Sequence, residues 1–161
     1  MTAGGPAPEA IRLLAAAGLT AGTAESLTGG LVAAALTSVP GASAVFRGGI
    51  VAYAADLKAA LLGVPEALLD RVGTVHRDVA MAMAHGARER LSAGIGIATT
   101  GVAGPDPVDG HAVGTVHVAV ATAHRVLHRE LTLTGGRSEI RCQSVRHALN
   151  LLVAVLTEEN A

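Results

Sequence analysis

A serine stands in a polar turn near the start of the chain, between two apolar runs. Residues 18–23 precede the turn, the turn itself reads AESLTGG at residues 24–30, and residues 31–36 follow it. This order predicts a strand, a tight turn and a helix. A hydroxyl at the start of a helix lies beside unpaired backbone N–H groups and the positive end of the helix dipole. Ser26 is therefore a candidate nucleophile for acyl transfer, with an ordinary helix cap, formed by Ser26 or Thr28, as the alternative.

Tyr53 and Lys58 stand five residues apart after a second predicted strand. A serine nucleophile needs a proton acceptor, and Lys58 lies among alanine and leucine residues. Burial against apolar side chains lowers the pKa of a lysine because it disfavours the charged form. Neutral Lys58 is thus a candidate base for Ser26, and a solvated lysine on a helix surface is the alternative. Taken alone, Tyr53 is typical of a core residue with its hydroxyl at the edge.

A third turn reads TTGVAGP at residues 99–105 and follows a short apolar run. Glycine-rich turns expose N–H groups that bind phosphate or carboxylate, although this one lacks the Gly-Lys-Ser/Thr of a P-loop. Arg137 and Arg141 stand four residues apart at the start of the last predicted helix and so share a face. They are suited to grip a phosphate, or they form a solvated basic face. Asp106 and Asp109 are typical of solvated turn formers, and no metal site is predicted.

The composition excludes several classes of protein. A chain of 161 residues with net charge −1 predicts one domain without bulk attraction to nucleic acid or to anionic membranes. No apolar run approaches the roughly 18–20 residues of a spanning helix, and no signal peptide is evident, so a cytoplasmic location is expected. Cys142 is the only cysteine, which excludes an internal disulfide. Because Phe46 and Tyr53 are the only aromatics, small aliphatic residues must fill the core, and the apolar surface that this implies predicts a homo-oligomer.

Local patterns divide the chain into alternating helices and strands. Helices are predicted at residues 8–17, 29–39, 54–62, 65–71, 76–91 and 138–156, the last capped by Ser138. Strands are predicted at residues 19–25, 45–53, 94–100, 113–121 and 126–133. Strands separated by helices have parallel neighbours, and the closing hairpin adds one antiparallel strand. The prediction is an α/β fold, a three-layer α/β/α sandwich around a five-stranded mixed, mostly parallel sheet, with residues 1–8 disordered and residues 9–161 forming one domain.

Taken together, these segments resemble the C-terminal domain of the competence-damage-inducible (CinA) protein family, which includes the bacterial nicotinamide-nucleotide amidohydrolases. The resemblance covers about residues 10–156. It rests on five motifs in order, TAESLTGG, VPGASAVFRGGIVAYAADLK, LLGVP, TTGVAGP and AVGTV. It implies hydrolysis of the carboxamide of nicotinamide mononucleotide to nicotinate mononucleotide and ammonia. The implied partner is thus a small-molecule pyridine nucleotide, with no nucleic acid, membrane, cofactor or metal.

The resemblance also implies roles for individual residues. Ser26 matches the family's nucleophile and Lys58 its partner base, while Tyr53 and Thr100 match residues that complete the polar network of the site. N–H groups near residues 28–30 are expected to stabilise the oxyanion. The glycine turn and Arg141 resemble the parts that hold the nucleotide phosphate and ribose. The expected substrate-binding set is Thr28, Gly29, Gly30, Gly101, Ala103, Gly104, Arg137 and Arg141.

The chain departs from the family pattern at several positions. The family usually has Cys where Leu27 stands, Asn where Ala55 stands and Ser where His76 stands, and residues 106–112 replace a glycine-rich stretch. The loss of Asn at position 55 removes a possible hydrogen bond, and the altered loop bears on substrate choice. Two alternatives therefore stay open: a non-catalytic nucleotide-binding or protein-interaction module of the same fold, and an amidase for another small amide.

Overall fold

The computed structural model describes residues 5–159. Its elements are six α-helices, five strands and one short 3₁₀ helix. In chain order they are α1 (Pro6–Ala17), β1 (Ala21–Glu25), α2 (Leu31–Thr37), the 3₁₀ helix (Ala42–Ala44), β2 (Phe46–Val51), α3 (Ala55–Leu62), α4 (Glu66–Val72), α5 (Arg77–Arg90), β3 (Ile95–Gly101), β4 (Thr115–Ala121), β5 (Val126–Thr132) and α6 (Arg137–Glu159).

The five strands form one sheet in the order β2-β1-β3-β4-β5. Strand β1 is parallel to both β2 and β3, whereas β4 is antiparallel to its neighbours β3 and β5. Four strands therefore run in the same direction and only β4 opposes them. The predicted α/β fold with a five-stranded mixed sheet is confirmed. Because β2, β1 and β3 are parallel, the turns that follow them, all singled out from the sequence, meet at one edge of the sheet.

A helical layer covers each face of the sheet. On one face α1, α2 and α6 bury leucine and valine side chains against the sheet, among them Leu14, Leu36 and Leu152. On the other face α5 lies flat on β1, β3 and β4 and buries Val79 and Met83. Small residues bring α5 close to the sheet, since a Cβ placed on Gly96 of β3 would overlap the carbonyl oxygen of Ala84. A core with almost no aromatic side chains is therefore packed tightly because the helix lies close to the sheet.

The first helix begins earlier than predicted and ends at the predicted residue, Ala17. Helix α1 begins at Pro6, so residues 6–8 are helical rather than disordered, and Ala7 is buried against the core. Proline is favoured in the first turn of a helix, because N–H groups there have no hydrogen-bond acceptor within the helix and the N–H that proline lacks is not needed. The predicted disorder of residues 1–4 lies outside the described residues.

Two other helix starts also differ. Helix α2 begins at Leu31 rather than at residue 29, because Gly29 and Gly30 have positive φ angles of 57° and 100°. Helix α6 begins at Arg137, so Ser138 lies inside the helix and does not cap it. The carboxylate of Glu139 accepts a hydrogen bond from the Gly136 N–H at 2.7 Å instead. None of the described helices has the length and apolar character that crossing a bilayer requires.

Candidate active site

Ser26 and Lys58 form a hydrogen-bonded pair at the edge of the sheet where β1 and β2 end. Lys58 Nζ lies 3.1 Å from Ser26 Oγ. The Lys58 side chain is only 1% exposed, because it and Leu62 are the two residues that α3 turns inward. Lys58 is also the only lysine in the chain. The interpretation of Lys58 as a solvated surface residue is therefore wrong.

The surroundings of Lys58 make its neutral form more accessible than that of a solvated lysine. Its Nζ lies 2.8 Å from the Ala52 carbonyl oxygen and 3.4 Å from that of Tyr53. Within the described part of the chain, no carboxylate lies within ion-pair distance of this amine. Burial lowers the pKa of Lys58 to about 8. A neutral amine has two N–H groups and one lone pair. The two N–H groups can donate to the two carbonyl oxygens, and the lone pair then faces the Ser26 hydroxyl.

Glu25 organises the turn that carries the nucleophile, and it was not among the residues predicted from the sequence. Its carboxylate is 1% exposed and accepts hydrogen bonds from Thr28 Oγ1 at 2.7 Å and from three backbone N–H groups. Those N–H groups belong to Gly30, Val32 and Ala33, at 3.0, 3.0 and 2.8 Å. Glu25 thus caps α2, where a negative charge is stabilised by the helix dipole. An acidic residue ending an apolar strand just before a helix was the available signal.

Because Glu25 caps the helix, neither Ser26 nor Thr28 does so. The Thr28 hydroxyl lies 2.7 Å from both the Glu25 carboxylate and the Thr99 hydroxyl, so it is held inside the turn. The Ser26 hydroxyl is left to Lys58. The alternative of an ordinary cap at either residue is therefore wrong.

The backbone donors near Ser26 differ from those expected. The Gly29 N–H donates to the Ser26 carbonyl oxygen at 3.0 Å, and the Gly30 N–H donates to Glu25. Neither N–H is free to bind an oxyanion. Among residues 5–159, the N–H groups of Leu27 and Thr28 have no acceptor. Because Thr28 is fully buried, the Leu27 N–H is the donor that the turn leaves available to a ligand.

A pocket of about 180 Å³ opens beside Ser26 and contains most of the predicted site residues. Its walls come from the turns after β1 and β2, from residues 74–75, and from the turn and loop that follow β3. The lining residues are Ser26, Leu27, Tyr53, Thr74, Val75, Thr100, Gly101, Val102, Ala103, Gly104, Asp106, Val108 and Arg137. Four predicted substrate-binding residues do not line it: Thr28, Gly29, Gly30 and Arg141.

Tyr53 lies at the mouth of this pocket and not in the core. Its side chain is 59% exposed, and its hydroxyl accepts a hydrogen bond from Arg137 Nη2 at 2.9 Å. Arg137 Nη1 also donates to the Gly104 carbonyl oxygen at 2.7 Å. Arg137 therefore joins two of the three turns across the pocket entrance, with its guanidinium exposed to solvent.

Thr100 and Arg141 are engaged with the protein backbone. The buried Thr100 hydroxyl donates to the Thr74 carbonyl oxygen at 2.7 Å and so fixes one pocket wall. Arg141 Nε and Nη2 donate to the carbonyl oxygens of Leu27 and Thr28 at 2.9 and 3.2 Å. Arg137 and Arg141 share a helix face as predicted but contact different partners, so they do not form one joint phosphate grip.

The departures from the family pattern have visible consequences. Ala55 is the exposed first residue of α3 and does not line the pocket. His76 caps α5, since its Nδ1 accepts from the Asp78 N–H at 3.2 Å. The loop at 106–112 brings Asp106 and Val108 into the pocket wall. Within the residues that the structure describes, no group of three His, Cys, Asp or Glu side chains is placed to hold a metal ion.

Known proteins resemble this chain over most of its length. The family model described as the CinA C-terminal domain matches residues 6–156. A CinA-like protein from Frankia casuarinae is 50% identical over 144 residues, which are 89% of this chain and 33% of that protein. The chain spans about a third of the length of the curated relatives it matches.

Two solved structures share the whole fold. The competence/damage inducible protein CihA from Agrobacterium tumefaciens is 42% identical with a TM-score of 0.88, and the match covers 98% of this chain and 99% of that one. A CinA superfamily protein from Klebsiella pneumoniae 700603 is 30% identical with a TM-score of 0.92, and the match covers 95% and 96% of the two chains. Sequence motifs, fold and family model agree, and the chain therefore belongs to the CinA C-terminal domain family.

Proposed function

We propose that this protein is an amidohydrolase that converts nicotinamide mononucleotide into nicotinate mononucleotide and ammonia. The observation that carries the proposal is the 3.1 Å contact between Ser26 Oγ and Lys58 Nζ. Burial and the absence of a carboxylate partner among the described residues hold the pKa of Lys58 at about 8. A pKa near the working pH suits a general base, so the pair supplies a nucleophile without a metal.

The first half of the reaction forms an acyl-enzyme. Neutral Lys58 accepts the Ser26 proton while Oγ forms a bond to the carboxamide carbon and the carbonyl electron pair moves to its oxygen. The free N–H of Leu27, a residue that lines the pocket, is the donor proposed for this oxyanion; one such donor is worth about 3–4 kcal/mol. When the carbonyl re-forms, the carbon–nitrogen bond breaks. The Lys58 ammonium gives its proton to the leaving nitrogen, which departs as ammonia.

The second half hydrolyses the ester. Lys58, neutral again, accepts a proton from a water molecule as the water oxygen attacks the acyl carbon. The bond to Ser26 Oγ then breaks, and Lys58 returns the proton to the serine. The products are the free acid and the unchanged enzyme, so atoms and charge balance over the cycle.

The size and lining of the pocket suit a substrate made of an aromatic carboxamide with a polar extension. Its small volume suits a ring held beside Ser26, with the remainder of the substrate outside the entrance. Arg137 stands exposed at that entrance, where a guanidinium pairs well with phosphate oxygens.

A second candidate is hydrolysis of a small amide that carries no phosphate. Asp106 lines the same pocket as Arg137, and a negative charge there opposes binding of a phosphate. This loop is also one of the places where the sequence departs from the family pattern.

Ammonia release tests the proposal. The purified chain, with EDTA present, is incubated with nicotinamide mononucleotide, nicotinamide riboside and nicotinamide, alongside Ser26→Ala and the matched control Ser38→Ala. Ser38 is an exposed serine at the end of α2. We expect turnover of the mononucleotide that Ser26→Ala abolishes and Ser38→Ala leaves unchanged. Turnover of the riboside alone would favour the second candidate. Substrate binding without ammonia, unchanged in Ser26→Ala, would show a non-catalytic module.

A further inference from the structure

We infer that Arg141 is a positioning residue that builds the oxyanion site, by fixing the peptide planes that follow Ser26. It does so from the carbonyl side of the turn and without touching the substrate. The inference rests on the proposed function, because an oxyanion forms only if Ser26 attacks a carbonyl. It gives Arg141 a different role from the phosphate or ribose contact that family resemblance implies.

Arg141 fixes the orientation of the peptide plane between Leu27 and Thr28. Arg141 Nε donates to the Leu27 carbonyl oxygen at 2.9 Å. In a trans peptide the C=O and N–H of one plane point in opposite directions. Holding the Leu27 carbonyl towards Arg141 therefore turns the Thr28 N–H away from Arg141.

The preceding plane is fixed by the turn itself. The Ser26 carbonyl oxygen accepts from the Gly29 N–H at 3.0 Å. The N–H in the Ser26–Leu27 peptide, which belongs to Leu27, consequently points out of the turn. Arg141 Nη2 donates to the Thr28 carbonyl oxygen at 3.2 Å and so holds the next plane, which carries the Gly29 N–H.

Most backbone N–H groups that follow Ser26 already have acceptors within the protein. The N–H groups from Gly29 to Ala33 all have acceptors, which are Ser26 O for Gly29, Thr28 O for Leu31, and the Glu25 carboxylate for Gly30, Val32 and Ala33. Only Leu27 and Thr28 keep free N–H groups in this stretch of the described chain. Leu27 directly follows the nucleophile, the position from which one oxyanion donor acts in α/β-hydrolases, and it lines the pocket. Thr28 is fully buried and does not line the pocket, so the Leu27 N–H is the donor that faces a substrate.

The charge of Arg141 strengthens the hydrogen bond that holds the Ser26–Leu27 peptide. No carboxylate in the part of the chain that the structure describes lies within ion-pair distance of Arg141. Its half-buried charge is therefore directed at two backbone carbonyls. A charged donor on a peptide oxygen polarises that peptide and makes its N–H a better donor. Through the Thr28–Gly29 peptide, this effect reaches the Gly29 N–H, whose bond to the Ser26 carbonyl oxygen holds the peptide that carries the free Leu27 N–H.

Arg137 provides the contrast within the same helix. It lies one turn before Arg141, lines the pocket and has its guanidinium exposed at the entrance. Arg141 does not line the pocket. An arginine that binds substrate is expected to affect KM, whereas one that shapes the oxyanion site is expected to affect kcat.

Steady-state kinetics of Arg141→Gln, Arg141→Ala and the matched control Arg137→Gln separate these roles. For Arg141→Gln we expect kcat to fall roughly 100-fold with KM changed less than about threefold, the loss typical of a weakened oxyanion donor. For Arg137→Gln we expect the reverse pattern. Added guanidinium should restore part of the kcat of Arg141→Ala, because it can occupy the vacated site. A rise in KM with unchanged kcat, or no change in either constant, overturns the inference.

Labelling of Ser26 by an organophosphorus fluoride tests the role of Arg141 without requiring amide hydrolysis. The phosphoryl oxygen of such a reagent uses the same backbone donors as an amide oxyanion. If the wild-type chain hydrolyses none of the amides, the proposed function fails, and the labelling rates alone decide the inference. Slower labelling in Arg141→Gln than in Arg137→Gln supports it, and equal rates in the two variants contradict it. Thermal unfolding of each variant shows that the folded protein is being compared.

Discussion

Lys58 Nζ lies 3.1 Å from Ser26 Oγ, although the two residues are 32 positions apart and belong to different elements. Ser26 follows β1 and Lys58 is in α3, which follows β2. The parallel pairing of β1 with β2 brings the two elements together, because it places both carboxyl ends at one edge of the sheet. The same pairing aligns Glu25 with Val51, so Ser26 is adjacent to the residues that lead into α3.

Replacing Lys58 by methionine should remove activity without unfolding the protein. Methionine keeps much of the lysine volume and removes a buried cation that has no carboxylate partner among the described residues. We expect kcat to fall by about 10²–10⁴, the usual contribution of a positioned base, with a melting temperature no lower than that of the wild type. Arg90→Met, on exposed Arg90 at the end of α5, is the control. Retained activity in Lys58→Met would remove Lys58 from the mechanism.

Activity should rise with pH up to a midpoint near the pKa of Lys58. Burial lowers this pKa to about 8, so about a tenth of the amine is neutral at pH 7. We expect kcat/KM to increase about tenfold per pH unit below the midpoint and to level off above it. Because Lys58 is the only lysine, a ¹³Cε-lysine label gives one signal, whose titration reports its pKa directly. A midpoint near 10.5 for that signal would contradict the assigned role.

Stability should depend on pH through the same residue. Between about pH 8 and its ordinary pKa of 10.5, Lys58 is neutral in the folded protein and still protonated in the unfolded chain. The unfolded state then binds more protons, so the free energy of unfolding rises with pH across this window. Below pH 8 both states are protonated and the full cost of burying the charge remains.

Comparison with Lys58→Met isolates this contribution. The difference in unfolding free energy, wild type minus variant, should increase by on the order of 3 kcal/mol between about pH 7 and pH 10.5. Urea unfolding at matched ionic strength measures it at each pH. A difference that stays constant over this range would mean that Lys58 titrates alike in both states.

Glu25→Gln should destabilise the fold more than an equivalent change at another helix start. The glutamine amide would turn an NH₂ group towards backbone donors that now bind a carboxylate oxygen. We expect a loss of about 2–4 kcal/mol, as for a buried charged acceptor whose partners are left unpaired. Glu139→Gln is the control, because exposed Glu139 accepts a single N–H at the start of α6, and it should cost less than about 1 kcal/mol. Equal losses in the two variants, measured by urea unfolding, would show that Glu25 is not the main anchor of the turn.

The elements that rest on local signals were predictable. The glycine pair at positions 29–30 and the apolar runs beside it indicated strand, turn and helix, and the structure has β1, the turn and α2 there. The alternation of strands and helices likewise led to the correct α/β fold. The start of α6 was predicted less well, because Glu139 rather than Ser138 satisfies the N–H of Gly136, and the two residues are adjacent capping candidates.

The residue types and spacing made Ser26 and Lys58 the candidates for a nucleophile and its base, and the family resemblance added Tyr53 and Thr100. Only the tertiary structure decided what these side chains face. Burial, which sets the pKa of Lys58, depends on how α3 packs, and the exposure of Tyr53 depends on its position at the pocket entrance. Arg141 meets Leu27 across 114 residues of sequence because α6 and α2 pack on the same face of the sheet. Such contacts join elements that are distant along the chain, and no local pattern in the sequence encodes them.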